Sequence, residues 1–407
     1  MNTRQVHTIL KETDFVHESG TAEELRVAEY LKAQCEALGV QASLEPFDVE
    51  MTTIKSASLL ADGVTYACLG YRLCGSGSVE APFLYLPSMD PVSLAQVRGK
   101  IVLLDSGLTH FAYQDLYEAG AVGFITYTGN VFYRDHDIDQ KELRSFVSLG
   151  KKMLGVNINA KDAAKLARQN PSTVRIEVDQ EEYAGQSHNV VASLPGQCDE
   201  YLVLSAHYDT TSLSHGSYDN MTGCIGLLCV MDELKNKDLH YGIRFVFCGS
   251  EERGLLGSKA YVAAHEEELS KCVLNVNLDM IGSAMGKFIA CVSAEEGLVH
   301  YLRYLGAEIG WSIEAKSGVY SSDSTPFADK GVPALSFART SPRNQAEIHT
   351  RNDTISLLSD KQIVTDGRFV AEFTRRMAQS VKCPVSRTIP DKVKNELDEY
   401  LNRKRRG

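Results

Sequence analysis

From residue 188 onward, short strand segments made almost entirely of apolar residues alternate with helix patterns. The strands include YLVLSA, IRFVFC and VLNVNL, and one helix reads NMTGCIGLLCVMDELKN. Strands that are apolar on both faces are typical of a parallel sheet covered by helices on each side. The alternation therefore predicts an α/β fold with a mixed, mostly parallel central sheet and helices on both of its faces.

Polar side chains follow several of these strands at the point where each strand ends. In open α/β sheets, ligands bind at the carboxyl ends of the strands. The residues that follow a predicted strand, or the glycine-flanked turn before a helix, are His207, Asp219, Glu251, Glu252, Asp279 and His349. The sequence therefore predicts that all of them lie at one edge of the sheet.

The chemical types in this set indicate a metal centre. Two imidazoles and three or four carboxylates are ligands for zinc or a similar divalent ion. Asp219, Glu252 and Asp279 together carry three negative charges, and a bridging hydroxide would add a fourth. Two divalent cations balance that charge, whereas one cation would leave buried carboxylates unpaired. The cluster therefore predicts two metal ions, an arrangement used by aminopeptidases and phosphatases.

Glu251 and Glu252 are adjacent, and this favours a division of labour between them. Neighbouring residues that leave a strand point in different directions, so one can bind metal while the other faces the metal-bound water. The second carboxylate could take a proton from that water and pass it to a leaving amine. Asp209, two residues beyond His207, could hold the other imidazole nitrogen and fix its tautomer.

The motifs AHYDT, SYDNMTG, SEERGLLGS, NLDMIG, SSDSTPF and EIHT, in this order, resemble the di-zinc aminopeptidase family. That family also includes glutamate carboxypeptidase II and the glutaminyl cyclases. The resemblance covers residues 1–50 and 185–380 and implies the zinc exopeptidase fold. Residues 51–182 contain VRGKIVLLDSG and EAGAVGFITY, which resemble the protease-associated domain, a small β-rich module.

The resemblance implies two zinc ions, which cobalt or manganese could replace, and a role for each metal ligand. His207 and Asp279 would hold one zinc, and Glu252 and His349 would hold the other. Asp219 would bridge the two ions. These assignments rest on the family's motifs and not on the spacing of the residues.

The resemblance also implies that Glu251 acts first as general base and then as general acid in peptide hydrolysis. The expected substrates are peptides with a free N-terminus, and the expected activity is that of an aminopeptidase. The chain departs from the family at one place. Many relatives carry a tyrosine immediately before the last histidine ligand, where its hydroxyl helps stabilise the tetrahedral intermediate, and this chain has Ile348.

Changes in pattern along the chain predict its domain organisation. The catalytic domain is expected to comprise residues 1–50 and 183–385, with the inserted domain at 51–182. Residues 386–407 are expected to form a charged C-terminal helix or tail that is solvated.

The first part of the catalytic domain contains an amphipathic helix pattern, GTAEELRVAEYLKAQCEALGV. Thr21 followed by Glu24 predicts a capping box at its start. Gly39 predicts its end.

Composition narrows the class of protein. A net charge of −11 argues against nucleic acid as a partner. The first residues lack the apolar core that is typical of a signal peptide. The sequence also contains no run of eighteen apolar residues, so no membrane-spanning helix is predicted. Several cysteines, such as Cys248 and Cys272, lie inside apolar strands, and none forms a C-x-x-C pair, which favours free thiols in a reducing cytoplasm. A homo-oligomer remains open.

Other motifs carry less weight. His265-Glu266 begins like a zinc-binding helix motif, but Leu269 stands where the second histidine is required. No Gly-x-Ser-x-Gly elbow occurs for a serine hydrolase. His136 and His215 are better interpreted as loop residues than as ligands. The segment 322–324 is interpreted either as structural or as contacting substrate.

Three alternative functions remain open. A carboxypeptidase or dipeptidase with the same chemistry would need a cation for the substrate carboxylate, and Arg339 or Arg343 could supply it. An aminoacyl cyclase is disfavoured by the inserted module, which such enzymes usually lack. A non-enzymatic binding protein could retain a peptidase scaffold and use the inserted module as its contact surface.

Overall fold

A computed structural model describes residues 1–105, 107–130, 138–342 and 346–405. The chain divides into two compact units. The first unit comprises Met1–Val49 together with Gln186–Gly407, and the second comprises Glu50–Gly185.

Helices and strands are numbered here in chain order. The helices are α1 (Thr3–Glu12), α2 (Ala22–Ala37), α3 (Pro91–Leu94), α4 (His110–Ala119), α5 (Ser145–Ser148), α6 (Ala160–Gln169), α7 (Thr222–Leu234), α8 (Leu256–Ala264), α9 (Glu296–Ile309), α10 (Ser324–Asp329), α11 (Asp360–Gln379) and α12 (Asp391–Tyr400). The strands are β1 (Ala42–Ala61), β2 (Val64–Tyr66), β3 (Cys68–Gly70), β4 (Gly77–Leu86), β5 (Ile101–Leu104), β6 (Gly123–Thr128), β7 (Gly155–Asn159), β8 (Thr173–Leu194), β9 (Tyr201–His207), β10 (Gly242–Cys248), β11 (Cys272–Leu278), β12 (Lys287–Ser293), β13 (Glu314–Ser317) and β14 (Ala334–Thr340).

The sheet of the first unit has the order β13-β12-β14-β11-β9-β10-β8. β9 pairs in parallel with both β10 and β11, and β11 pairs in parallel with β14. β12 runs antiparallel to β14, and β8 runs antiparallel to β10. The sheet is therefore mixed and mostly parallel, and the predicted fold class is confirmed.

Both faces of this sheet are covered, and β9 shows how. Leu202 and Leu204 belong to the large core that includes residues of α2, α7 and α11. Tyr201 and Val203 point to the other face and pack with residues of α8 and α10. Because successive side chains of a strand alternate between faces, a strand buried on both sides is expected to be apolar at most of its positions. The continuous apolar runs in the sequence have this origin.

α2 begins as the sequence predicts, but its predicted capping box is only half formed. The Thr21 hydroxyl accepts a hydrogen bond from the Glu24 N–H at 3.2 Å. The Glu24 side chain does not return to the Thr21 N–H and instead accepts from the Gly20 N–H at 2.6 Å. Glu24 is almost completely buried. The predicted capping box was therefore wrong for the Glu24 carboxyl group, which makes other contacts in the folded protein.

The strands of the second unit follow the order β8-β4-β5-β6-β7-β3. β4, β5, β6 and β7 pair in parallel, whereas β3 and β8 pair antiparallel at the two sides. A separate hydrophobic core, which includes Phe83, Ile101, Phe124 and Val156, packs this sheet against α4 and α6.

The C-terminal segment was expected to be solvated, and this was wrong for one face of α12. Val393 and Leu397 are buried with Ala328, Ala334 and Ile389. The Arg403 guanidinium also binds Asp329 at 2.6 Å. The segment is mostly charged, so its short apolar stripe was not recognised in the sequence. The stripe is buried because it packs against α10.

All ten cysteines lie in the described part of the chain, and none is in a disulfide. Among the described residues, no helix combines the length and apolarity that crossing a bilayer requires.

Candidate metal centre

The parallel strands bring the predicted residues to one edge of the sheet. His207 is the last residue of β9, and it pairs in register with Cys248, the last residue of β10. Glu251 and Glu252 follow β10 within four residues, and Asp279 follows β11 directly. Because parallel neighbours end at the same side, side chains more than seventy residues apart in sequence become neighbours in space.

Two groups of side chains can each hold a metal ion, and they share Asp219. One group consists of His207, Asp219 and Asp279, and the other of Asp219, Glu252 and His349. Within each group the ligand atoms lie within 4.8 Å of one another. These are the five residues that the motifs indicated as ligands.

Asp219 lies between the two imidazoles and presents one oxygen to each. Its Oδ1 is 3.1 Å from His207 Nε2, and its Oδ2 is 3.1 Å from His349 Nε2. His349 Nε2 is also 3.0 Å from Glu252 Oε1. A carboxylate with this placement has the geometry of a bridge between two cations.

The pKa shifts in this cluster indicate an excess of negative charge that bound positive charge would balance. Burial acts to lower the pKa of His207, but the surrounding carboxylates, above all Glu251, raise it well above its ordinary value. Partial burial acts in the same way on His349, and Asp219 and Glu252 raise its pKa to about 11. Burial acts to raise the pKa of Asp219, but the two imidazoles hold it below its ordinary value. Protons on the imidazoles or divalent cations can meet this demand.

The surroundings of Asp279 indicate whether the residues of this cluster fit a metal ion. Its side chain is buried, and its Oδ1 has no hydrogen-bond partner among the described residues. Burial raises the pKa of Asp279 well above its ordinary value, although His207 opposes the rise. An unpartnered buried carboxylate oxygen costs free energy unless a cation binds it. The nitrogen and oxygen donors present are those that zinc accepts, so the residues fit such an ion.

Glu251 lies beside the ligands without belonging to either group. Burial raises the pKa of Glu251 well above its ordinary value. His207 opposes this rise, and the carboxylate of Glu252 adds to it. A carboxyl group in this setting is able to hold a proton, and cations bound at the neighbouring ligands would favour its release.

Asp209 has a larger part in the structure than the sequence suggested. Its Oδ1 is 3.5 Å from His207 Nδ1, on the side where a tautomer-fixing partner was expected. The two carboxylate oxygens also accept the backbone N–H groups of Glu251 at 2.8 Å and Glu252 at 3.1 Å. Asp209 is fully buried. One side chain therefore orients a ligand imidazole and the segment that carries both glutamates.

Asp353 supports the candidate site, and the sequence reasoning missed it. Its carboxylate accepts the backbone N–H groups of Tyr218 at 2.7 Å and Asp219 at 3.1 Å, and the Ser214 hydroxyl at 3.1 Å. It is fully buried and therefore fixes the turn that presents the bridging carboxylate. An aspartate in the string HTRNDT carries no signal for this role, because its partners lie more than 130 residues earlier in the chain.

The structure gives other singled-out residues different surroundings. His265 Nε2 binds Glu45 at 3.1 Å, and His215 Nδ1 binds Asp14 at 2.8 Å. Neither histidine belongs to a metal-binding group found among the described residues. The segment Ser322–Ser324 is buried, and its two serines share hydrogen bonds with Ser336.

Two residues from the alternative interpretations, His136 and Arg343, lie outside the described residues. Arg339 is described, and it donates two hydrogen bonds to the buried Asp366 at 2.8 and 2.6 Å. Ile348 is half-buried and supplies no hydroxyl next to His349.

Comparison with known proteins gives the family. Residues 189–374 match the model of Peptidase family M28. Aminopeptidase YwaD of Bacillus subtilis (strain 168) is 27% identical over 318 residues, which cover 75% of this chain and 68% of that protein. Leucine aminopeptidase 2 of Trichophyton rubrum is 30% identical over 196 residues, which cover 46% of this chain and 38% of that protein. The match thus spans about two thirds of the first relative and well under half of the second.

A solved structure confirms the fold. The structure of BSAP, a zinc aminopeptidase from Bacillus subtilis, matches with a TM-score of 0.77 and 21% identity, over 96% of this chain and 98% of that chain. The segment matched by the family model contains both metal-binding groups and the strand ends that present them. The resemblance that the motifs indicated is therefore confirmed: residues 189–374 of this chain match peptidase family M28.

Proposed function

We propose that this protein is a zinc-dependent aminopeptidase that releases N-terminal residues from peptides. One observation carries the proposal. Asp219 presents one carboxylate oxygen to each of two imidazoles, with the half-buried carboxyl group of Glu251 beside them. The names of the relatives, an aminopeptidase and a leucine aminopeptidase, support the same activity.

The residues of the two groups would hold two zinc ions. His207 and Asp279 would bind one ion, Glu252 and His349 the other, and Asp219 would bridge them. Such a pair supplies Lewis acidity toward the scissile carbonyl and lowers the pKa of water. Cobalt or manganese could replace zinc, because the ligands are imidazoles and carboxylates without thiolates.

The chain's own contribution to the reaction is proton transfer by Glu251. Its carboxylate would accept a proton from the attacking water and then donate that proton to the leaving amine. Asp209 keeps Glu251 in place through the Glu251 N–H. Since the Ile348 side chain has no polar atom, the side chain before His349 would make no contribution to oxyanion stabilisation.

Recognition of a free N-terminus follows from the acidity of this edge of the sheet. A substrate ammonium group is attracted by carboxylates that are buried and incompletely paired, such as Asp279. We therefore expect turnover to depend on the free amine. N-acetylated substrates should be poor, and equal turnover of free and acetylated forms would contradict this expectation.

The decisive experiment is a panel of aminoacyl anilides, N-blocked peptides and C-terminal dipeptides, tested with wild type and Glu251→Gln. We expect activity on the free-amine substrates, and a fall in kcat of about a hundred- to ten-thousandfold in the variant. Bound zinc should remain at the wild-type level, because Glu251 belongs to neither metal-binding group. Glu267→Gln, which changes an exposed glutamate, serves as the matched control.

Two results would reject the proposal. If the purified protein held less than one zinc or cobalt per chain and added metal did not activate it, a binding protein on a peptidase scaffold would be favoured. If turnover were confined to substrates with a free C-terminus, a carboxypeptidase or dipeptidase would be favoured. The ion pair between Arg339 and the buried Asp366 counts against that second outcome. Arg339 is one of the two arginines that could have bound a substrate carboxylate, and here its charge is already paired.

We also propose that residues 51–182 form a protease-associated domain inserted in a catalytic domain of residues 1–50 and 183–385. The strand and helix order around VRGKIVLLDSG and EAGAVGFITY supports this identity. An experimental structure in which this region failed to superimpose on protease-associated domains would reject it.

A cytoplasmic location is a further part of the proposal, supported by ten cysteines without a disulfide. We likewise propose peptides, and neither nucleic acid nor membranes, as partners, in keeping with the net charge of −11. Fractionation of cells that produce a tagged full-length protein would test the location.

A further inference from the structure

The segment 249–252, which leads from β10 to the two glutamates, is held at every backbone N–H. Three buried side chains from separate parts of the chain accept these four hydrogen bonds. The pairs are Gly249 N–H to Asn189 Oδ1 at 3.2 Å, Ser250 N–H to Glu24 Oε1 at 3.2 Å, Glu251 N–H to Asp209 Oδ1 at 2.8 Å and Glu252 N–H to Asp209 Oδ2 at 3.1 Å. The loop is therefore shaped by side chains and not by a regular hydrogen-bond ladder.

Ser250 is the position where this loop departs most from ordinary backbone conformation. Its φ is +57°, in the left-handed region that non-glycine residues seldom adopt. It is also fully buried, so water cannot satisfy its N–H. Such a conformation persists only where the surroundings hold it in place. The acceptor of the Ser250 N–H, Glu24, is therefore a principal constraint on the direction in which the chain leaves β10.

Among the described residues, the groups hydrogen-bonded to the Glu24 carboxyl act as donors to it. Oε2 accepts the Gly20 N–H at 2.6 Å, and Oε1 accepts the Ser187 hydroxyl at 2.7 Å besides the Ser250 N–H. Gly249 lies so close that a Cβ atom there would be 2.9 Å from Glu24 Oε1. Burial raises the pKa of Glu24 to about 8, and the Asp209 charge acts in the same direction. Donors at both oxygens suit the carboxylate, and a proton on Glu24 would require the Ser187 or Ser250 hydroxyl to turn and accept it.

We propose that Glu24 is a positioning residue that sets the loop presenting Glu251 and Glu252. This inference rests on the proposed function for its kinetic consequence. A helix cap alone would explain only the bond from Gly20 to Oε2, and the Thr21 hydroxyl already caps α2. The contacts of Oε1 with Ser187 and Ser250 instead tie the start of α2 to the end of β10.

The test is Glu24→Gln in the full-length, zinc-loaded protein. A carboxamide has one acceptor oxygen, so its NH₂ group must face the N–H of either Gly20 or Ser250. We expect kcat to fall about ten- to a hundredfold and KM to stay within about threefold of the wild-type value. Losses of this size are typical when a residue that orients metal ligands without binding the metal is changed. Glu23→Gln is the matched control, because Glu23 lies in the same first turn and is exposed. It should retain wild-type kinetics.

Ser250→Gly separates positioning from a general loss of stability. Glycine adopts positive φ freely, so the loop needs less restraint at this position. We expect the Glu24→Gln change to reduce kcat several-fold less in the Ser250→Gly background than in wild type. Equal losses in the two backgrounds would overturn the proposal.

A second measurement does not depend on activity. In metal-free protein, amide hydrogen exchange of a peptide that covers residues 249–255 should be at least about tenfold faster in Glu24→Gln than in wild type and Glu23→Gln. Unchanged exchange and unchanged kcat would overturn the positioning role. Faster exchange in a protein whose wild type lacks aminopeptidase activity would uphold the role of Glu24 in shaping the loop and reject only the proposed function.

Discussion

Asp209→Asn is the substitution whose effect can be worked out most fully from this structure. The Asp209 carboxylate accepts the N–H groups of both Glu251 and Glu252, one at each oxygen, and Oδ1 also lies 3.5 Å from His207 Nδ1. Asparagine keeps the shape of the side chain and only one of the acceptors. Its NH₂ group must therefore face one of the two N–H groups, in a place that water does not reach.

The magnitude follows from that mismatch. A hydrogen bond to a charged group contributes about 1.5–3 kcal/mol, and a buried N–H left without a partner costs about 1–3 kcal/mol. Because these two figures partly describe the same bond, we expect the free energy of unfolding to fall by about 3 kcal/mol. We expect kcat to fall about ten- to a hundredfold, since both Glu251 and the His207 imidazole lose their support.

The assay combines urea unfolding with steady-state kinetics on an aminoacyl anilide, at equal zinc content. Asp199→Asn is the matched control, because the side chain of Asp199 is 89% exposed and its nearest cation, Lys271, is 3.6 Å away. An Asp209→Asn protein with kcat within twofold of wild type and unchanged unfolding would refute the assignment of both hydrogen bonds.

Three further predictions concern the metal, pH and the bridging carboxylate. Removing zinc with a chelator should abolish turnover and lower the free energy of unfolding by about 4 kcal/mol relative to protein in zinc at a thousand times Kd, and an unchanged Tm would contradict a metal centre. Burial lowers the pKa of His17 from 6.5 to about 4, so folding favours the neutral imidazole. Its contribution is complete above pH 6.5 and is lost as the pH falls toward 4, a change of about 3 kcal/mol. His17→Asn should remove this part of the pH dependence in urea unfolding, and an identical pH slope would count against it. Asp353→Asn should weaken zinc binding about ten- to a hundredfold in competition with a chromophoric chelator, because the amide cannot accept both N–H groups that Asp353 now accepts.

The fold class was predictable because it depends on short-range pattern. A strand covered on both faces must be mostly apolar, and β9, β10 and β11 show this in the sequence. Their few buried polar residues find partners in the sheet, as Ser205 does with Asn277. The candidate metal ligands were predictable for a related reason. The carboxyl ends of parallel strands lie at the same edge of a sheet, so the position of a His or Asp that follows such a strand can be predicted from the sequence.

The supporting residues were not predictable in this way. Glu24 matched a capping pattern, and its carboxyl group instead bonds to Ser187 and Ser250, 163 and 226 residues away. Asp353 matched no pattern at all. A hydrogen bond between distant segments leaves no periodic trace, because its existence depends on the packing of helices and loops that the local sequence does not specify.

The sequence by itself determined which elements form, at which edge the imidazoles and carboxylates gather, and the family whose motifs they make. Only the tertiary structure decided which other carboxylates hold the backbone that presents the candidate ligands. The physical reason is burial. Asp209, Glu24 and Asp353 are removed from water, so each must find donors, and the donors that surround them are the backbone N–H groups of the active-site loops.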